Sequence, residues 1–143
     1  MGEIKKANLT FLYLLANDLK ALRHFYSDLL DMKENSYYED EKFGWLSYHQ
    51  EGLEMDWFRA EKPIPIIEEW AMQPGYPGGT KEVISWSIEI DESVFPSLIE
   101  KIKLEGIPVF QGKPEFRQDA YWGFSVKDPM GNTVELYYMP KKK

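Results

Sequence analysis

The sequence predicts an α+β fold built from two tandem β-α-β-β-β modules, and three observations carry that prediction. A short apolar run leading straight into an aspartate-marked helix start occurs twice, over residues 9–18 and again over 82–91. Each repeat continues with one stretch of helical periodicity and then three runs of strand character. Between the repeats lies a segment crowded with proline and glycine. Duplication at this scale constrains the fold more than either half would alone.

Module one is read over residues 1–60. Residues 9–16 (LTFLYLLA) make an apolar run of strand length. Asn17-Asp18 offers side-chain acceptors to the free N–H groups of a helix start, and Leu19, Leu22, Phe25, Tyr26, Leu29 and Leu30 follow at helical spacing. Strands are expected at 32–38, 44–49 and 53–59, parted by the turns Glu39-Asp40-Glu41-Lys42 and Gln50-Glu51-Gly52. Residues 61–80 have linker composition around a short helix expected at 66–72; the alternative reading is a segment that lies over a cavity with Trp70 as its cover.

Module two, residues 81–143, restarts the pattern. Residues 82–90 (EVISWSIEI) form a strand, and Asp91 caps a helix with Val94, Leu98, Ile99 and Ile102 on one face and a stop at Gly106. Strands are expected at 109–113, 121–127 and 133–139. The last two are joined by Asp128-Pro129-Met130-Gly131-Asn132, in which proline fixes φ early and glycine or asparagine accepts positive φ late.

Composition excludes several function classes. Of 143 residues 43% are hydrophobic and 15% aromatic, enough for one domain with a real core. No apolar run approaches the roughly 18 residues of a membrane span. The first ten residues, MGEIKKANLT, lack the apolar stretch of a signal peptide, so the expected compartment is the cytoplasm. Without cysteine there is neither a disulfide framework nor a thiolate metal site. The net charge is −7 although the last three residues are lysines, read as a solvated tail; a body this acidic disfavours nucleic acid and suits a neutral or cationic small molecule. Phosphate loop, dinucleotide fingerprint, H-E-x-x-H and nucleophile elbow are all missing, and His24 and His49 sit in no catalytic context.

Two stretches carry a family resemblance. Asn17-Asp18-Leu19 with Phe25-Tyr26-Ser27-Asp28-Leu29-Leu30, and then Asp128-Pro129-Met130-Gly131-Asn132-Thr133-Val134-Glu135-Leu136, resemble the opening and closing motifs of the vicinal-oxygen-chelate superfamily, the glyoxalase/bleomycin-resistance/dioxygenase proteins. The first departs from the pattern at Asp31, where glycine is usual. The resemblance implies curved sheets forming a cup, helices on the outer face, a ligand inside the cup and a homodimer as the common assembly. In metal-using members the first and last strands of each module supply the ligands. Counting from the helix caps places Phe11 and Ser85 at the first-strand positions, with Glu54 or Asp56 and Glu135 on the last strands. Both imidazole positions are therefore lost, and no metal or other cofactor is expected, because transition-metal sites need about three protein ligands.

Strand alternation then lines the cup with Phe11 and Tyr13; Glu54, Asp56 and Phe58; Ser85, Ser87 and Glu89; and Thr133, Glu135 and Tyr137. It leaves Leu12, Leu14, Leu53, Met55, Trp57, Ile84, Trp86, Ile88, Ile90, Val134 and Leu136 for the helix side. Tyr121 or Trp122 is expected at the rim, by resemblance to a W-G-x-x-F element two residues out of step, with Trp45 and Tyr48 as weaker candidates. Lys127 or Arg59 is the expected partner of the carboxylates. Aromatic faces and carboxylates together suit a flat, cationic or amine-bearing compound held without chemistry. The competing readings are a metal-dependent lyase, isomerase or dioxygenase using Glu135 as base with Glu54 or Asp56, and a partner-binding domain whose cup is filled by its own side chains.

Overall fold

The computed structural model describes residues 6–75 and 77–141, so residues 1–5 of the expected leaderless start and Lys142 and Lys143 of the expected tail lie outside it. The chain divides into two compact units between Ile64 and Pro65. In unit one, β1 (Phe11–Ala16) leads into α1 (Leu19–Leu22), which continues in π-helical form over Arg23–Leu29. Three strands follow: β2 (Glu34–Glu39), β3 (Gly44–Gln50) and β4 (Leu53–Arg59). They form a mixed sheet in the order β1-β4-β3-β2, with β1 parallel to β4 and the other pairs antiparallel.

Local chemistry explains these elements. Asp18 has extended backbone, and its carboxylate accepts from the N–H groups of Lys20 and Ala21 at 3.0 and 3.1 Å, satisfying two of the helix's orphan donors. Farther along, the Leu30 N–H donates to the Phe25 carbonyl five residues back, and the widened turn keeps the neighbours Phe25 and Tyr26 both buried. Tyr26 packs its ring against Tyr48 and Trp57 at 5.9 and 5.7 Å, joining the helix to β3 and β4. With Leu19, Leu22 and Leu46 these side chains make the core, each worth about 1.5–3 kcal/mol when fully buried. Tyr48 is therefore not a lining residue. Alternation turns it to the helix side, where its hydroxyl lies 2.7 Å from Ser27 Oγ and burial pushes its pKa up to about 12.

Unit two repeats the topology. Its elements are β5 (Ser85–Glu89), α2 (Phe95–Leu104), β6 (Glu115–Arg117), β7 (Tyr121–Lys127) and β8 (Thr133–Tyr138). The order is β5-β8-β7-β6, again with a parallel first pair. α2 buries Phe95, Leu98, Ile99 and Ile102. Val94, expected on that face, is half exposed because the helix begins only at Phe95, with Pro96 in its first turn. Asp91 accepts instead from the backbone and hydroxyl of Ser93 and orders the turn before the helix. Ile84 precedes β5 and is 67% exposed, so it does not pack. The strand expected at 109–113 shrinks to a single bridge between Val109 and Val126, and the edge strand forms two residues beyond it at Glu115–Arg117. Among the described residues Gly112 and Pro114 interrupt the run between them, and a proline cannot donate to a ladder.

The largest departure from expectation is the segment 65–80. It contains no helix among its described residues and belongs to unit two as a strap. The Ile67 N–H donates to the Met130 carbonyl, and Ala71 bridges to Thr80. The Ala71 N–H donates to Thr133 Oγ1 at 2.9 Å, and Lys127 Nζ donates to the carbonyls of Ile67 and Glu69. Gly131 shows why the turn needs glycine: its φ is +82°, and a Cβ there would run into the Ile67 carbonyl.

Candidate functional site

The side of unit one's sheet away from α1 is set by register. Across it run three rows: Phe11, Glu54 and His49; Tyr13, Asp56, Ser47 and Ser36; Leu15, Phe58, Trp45 and Tyr38. The aromatic members stay open to solvent, with Phe11 46%, Tyr13 65% and Phe58 41% exposed. Phe11 and Tyr13 stack at 5.8 Å with ring planes 4° apart, and Tyr13 meets Phe58 at 5.8 Å. This face carries five of the expected lining residues together: Phe11, Tyr13, Glu54, Asp56 and Phe58.

At its centre two carboxylates stand side by side. Glu54 accepts from Asn35 Nδ2 at 2.9 Å. Asp56 Oδ1 is shielded from solvent and has no hydrogen-bond partner among the described residues. Burial raises the Asp56 pKa, and the neighbouring Glu54 raises it further. Arg59, an expected partner, is bound to Glu39 at 2.7 Å instead. His49, set aside on sequence grounds, stands opposite Glu54 in the register. A carboxylate pair with an uncompensated oxygen, ringed by exposed aromatic faces, is chemically a receptor for a cationic donor. A hollow of about 600 Å³ in unit one, around Asn17, Lys20 and Tyr37, is a poorer candidate. Among the described residues three of its four carboxylates are already engaged, Asp18 by the helix start, Glu39 by Arg59 and Asp40 by the turn amides, which leaves Glu41 alone on the exposed turn.

The corresponding face of unit two is built differently. Glu135 is 4% exposed and receives three donors: Arg117 Nη1 at 2.7 Å, Ser87 Oγ at 2.5 Å and Tyr121 Oη at 3.1 Å. Arg117, fully buried, also donates to Ser125 Oγ and, from the strap, Gln73 Oε1. Gln73 and Ser125 hydrogen-bond to each other. Lys127 is not a partner of Glu135. It donates to three main-chain carbonyls, of Ile67, Glu69 and Gly131, and lies 5.0 Å from the Trp70 ring centroid; burial lowers its pKa.

Of the remaining expected residues, Tyr121 lies beside Tyr137 with centroids 5.4 Å apart, and burial raises both phenol pKa values. Ser85 stands opposite Thr133. Trp122 is a correction: it pairs with Tyr138, one step out of phase with Ser125 and Glu135, so it points to the α2 side. Arg117 was missed by the sequence, where a lone arginine in a three-residue edge strand carries no signal of the carboxylate it will meet.

A divalent metal fits this donor set poorly. Among the described residues no three His, Asp or Glu side chains gather closely enough to hold one. Phe11 brings no donor atom, and a cation at Glu135 would have to displace a buried guanidinium.

The sequence model of the Glyoxalase/Bleomycin resistance protein/Dioxygenase superfamily matches residues 8–136. The chain belongs to that superfamily. No curated protein sequence matches it significantly. Solved members share the fold at low identity. A glyoxalase/dioxygenase from Nostoc punctiforme is 16% identical with a TM-score of 0.67, the match covering 99% of each chain. The fosfomycin resistance protein FosX from Listeria monocytogenes is 14% identical with a TM-score of 0.64, over 97% of this chain and 96% of that one. The oxidase ChaP-H2 is 18% identical with a TM-score of 0.63, over 97% and 98%. The proteins that share this fold thus include both a resistance protein and an oxidase. Among the described residues of this one, no helix is long and apolar enough to cross a membrane.

Proposed function

We propose that this superfamily member binds a small aromatic cation on the open face of unit one and sequesters it without chemistry, as a drug-resistance or accessory binding protein would. The observation that carries the reading is the Glu54–Asp56 pair, with its unpartnered oxygen, set among the exposed rings of Phe11, Tyr13 and Phe58. An ammonium group answers the excess negative charge of the carboxylate pair, while a flat apolar body covers the rings. The reading includes no cofactor, a cytoplasmic setting and a homodimer, the last to be checked by sedimentation. The metal-dependent alternative requires the Glu135 carboxylate, whose oxygens already face Arg117, Ser87 and Tyr121.

The test uses 2-naphthylmethylammonium and its neutral analogue 2-naphthylmethanol. The ammonium compound should saturate the protein, the alcohol should bind at least about tenfold more weakly, and Glu54→Gln with Asp56→Asn should erase the difference. Equal binding of the two compounds, or metal-dependent turnover abolished by a chelator, would overturn the reading.

A further inference from the structure

Unit two holds a second cavity, on the α2 side of its sheet and away from Glu135. Its volume is about 420 Å³, within the usual range for small-molecule sites. Phe95, Pro114, Trp122 and Tyr138 give it flat apolar walls, and Lys103, Lys113 and Glu100 stand around it. The walls are braced: Phe95 meets Tyr138 edge-on at 4.8 Å, and Trp122 packs on Phe116 at 5.3 Å.

The polar groups decide what such a cavity accepts. Glu100 lies 4.0 Å from Lys103 on the next turn of α2, so its charge is partly answered within the helix. Lys113 has no ion pair or hydrogen bond among the described residues, and neither do the Trp122 indole N–H and the Tyr138 hydroxyl. The lining therefore carries a surplus of donors and one positive charge more than negative, on a chain whose net charge is −7. A cation would meet two ammonium groups here. A planar acid would stack its body on the aromatic walls and place its carboxylate against the free donors.

We propose that this cavity is a binding site for a planar aromatic carboxylate, separate from the cation site of unit one. Loss of either site leaves the other intact, since they share no residue.

The experiment follows 2-naphthoate, with 2-naphthylmethylammonium as its charge-reversed control, by backbone and indole N–H NMR shifts of the whole chain. Saturable shifts from naphthoate should centre on the Trp122 indole and on the Phe95 and Tyr138 amides. Lys113→Glu combined with Lys103→Gln should weaken naphthoate by about tenfold or more, and Glu54→Gln with Asp56→Asn should leave it unchanged. Lys113 is exposed, and an unaltered amide spectrum certifies that the lysine variant is folded. The proposal is overturned if naphthoate gives no saturable shifts at these residues up to about 1 mM, if the ammonium compound shifts them equally, or if the lysine variant binds like the parent.

Discussion

The two sheets have the same strand order and the same mixed pairing, yet their helix-free faces have opposite characters. In unit one the face is bare: among the described residues its carboxylates have no basic partner, and its rings are exposed. In unit two a fully buried arginine neutralises the carboxylate, and a strap of 65–80 spends its amides and carbonyls on Thr133, Lys127 and Met130. A duplicated scaffold thus fixes where a site is placed but not whether it is open. What decides that is the chain laid over it and one basic residue at the sheet edge.

The sharpest way to break the comparison is to unbalance the covered face. Arg117→Met should destabilise unit two by about 3–5 kcal/mol in urea unfolding, because Glu135 would be left buried without its counter-charge. Adding Glu135→Leu should recover much of that loss; a single variant no less stable than the parent would contradict a neutralised, covered face.

Next in size is Gly131→Ala, which forces a non-glycine residue to φ +82° and pushes the strap's Ile67 carbonyl away. A loss of about 2–3 kcal/mol is expected, with a change in Trp70 fluorescence as the strap shifts. Smaller again is Gln73→Ala. It removes the strap's contact with Ser125 and Arg117 and should cost about 1–2 kcal/mol, read as faster amide exchange at Ala71.

On the bare face the same kind of experiment should do almost nothing to stability. Tyr13→Ser and Phe58→Ser are expected to lie within about 0.5 kcal/mol of the parent while weakening the naphthyl ammonium compound. Stability lost there on the scale of the strap variants would show that the face is covered in solution.

Acidity sharpens the contrast further. The Asp56 pKa is raised in the folded protein, so between the ordinary carboxylate value and that raised value the native state holds more protons than the unfolded chain. Stability from this group is fully present below the ordinary value and is lost as pH rises through the raised one; Asp56→Asn should flatten that slope in a pH series of melting curves. Affinity for the ammonium compound should run the other way, falling as acid neutralises Asp56.

Much of this molecule was written in one dimension. The duplication, the order of elements and the residues 53–59 and 121–127 as strands followed from local patterns, because alternation, helical spacing and turn residues act over neighbours in the chain. The same alternation assigned Phe11, Tyr13, Glu54, Asp56 and Phe58 to one face. It failed where a rim position was inferred by resemblance out of step, at Trp122, and where proline and glycine were read as a linker. Proline-rich composition says only that a segment will not be helix or central strand. It does not say which sheet will supply its hydrogen-bond partners. The strap, the Arg117–Glu135 pair and the contrast between a bare and a covered face rest on contacts between residues 18 to 63 positions apart, and only the tertiary structure could decide them.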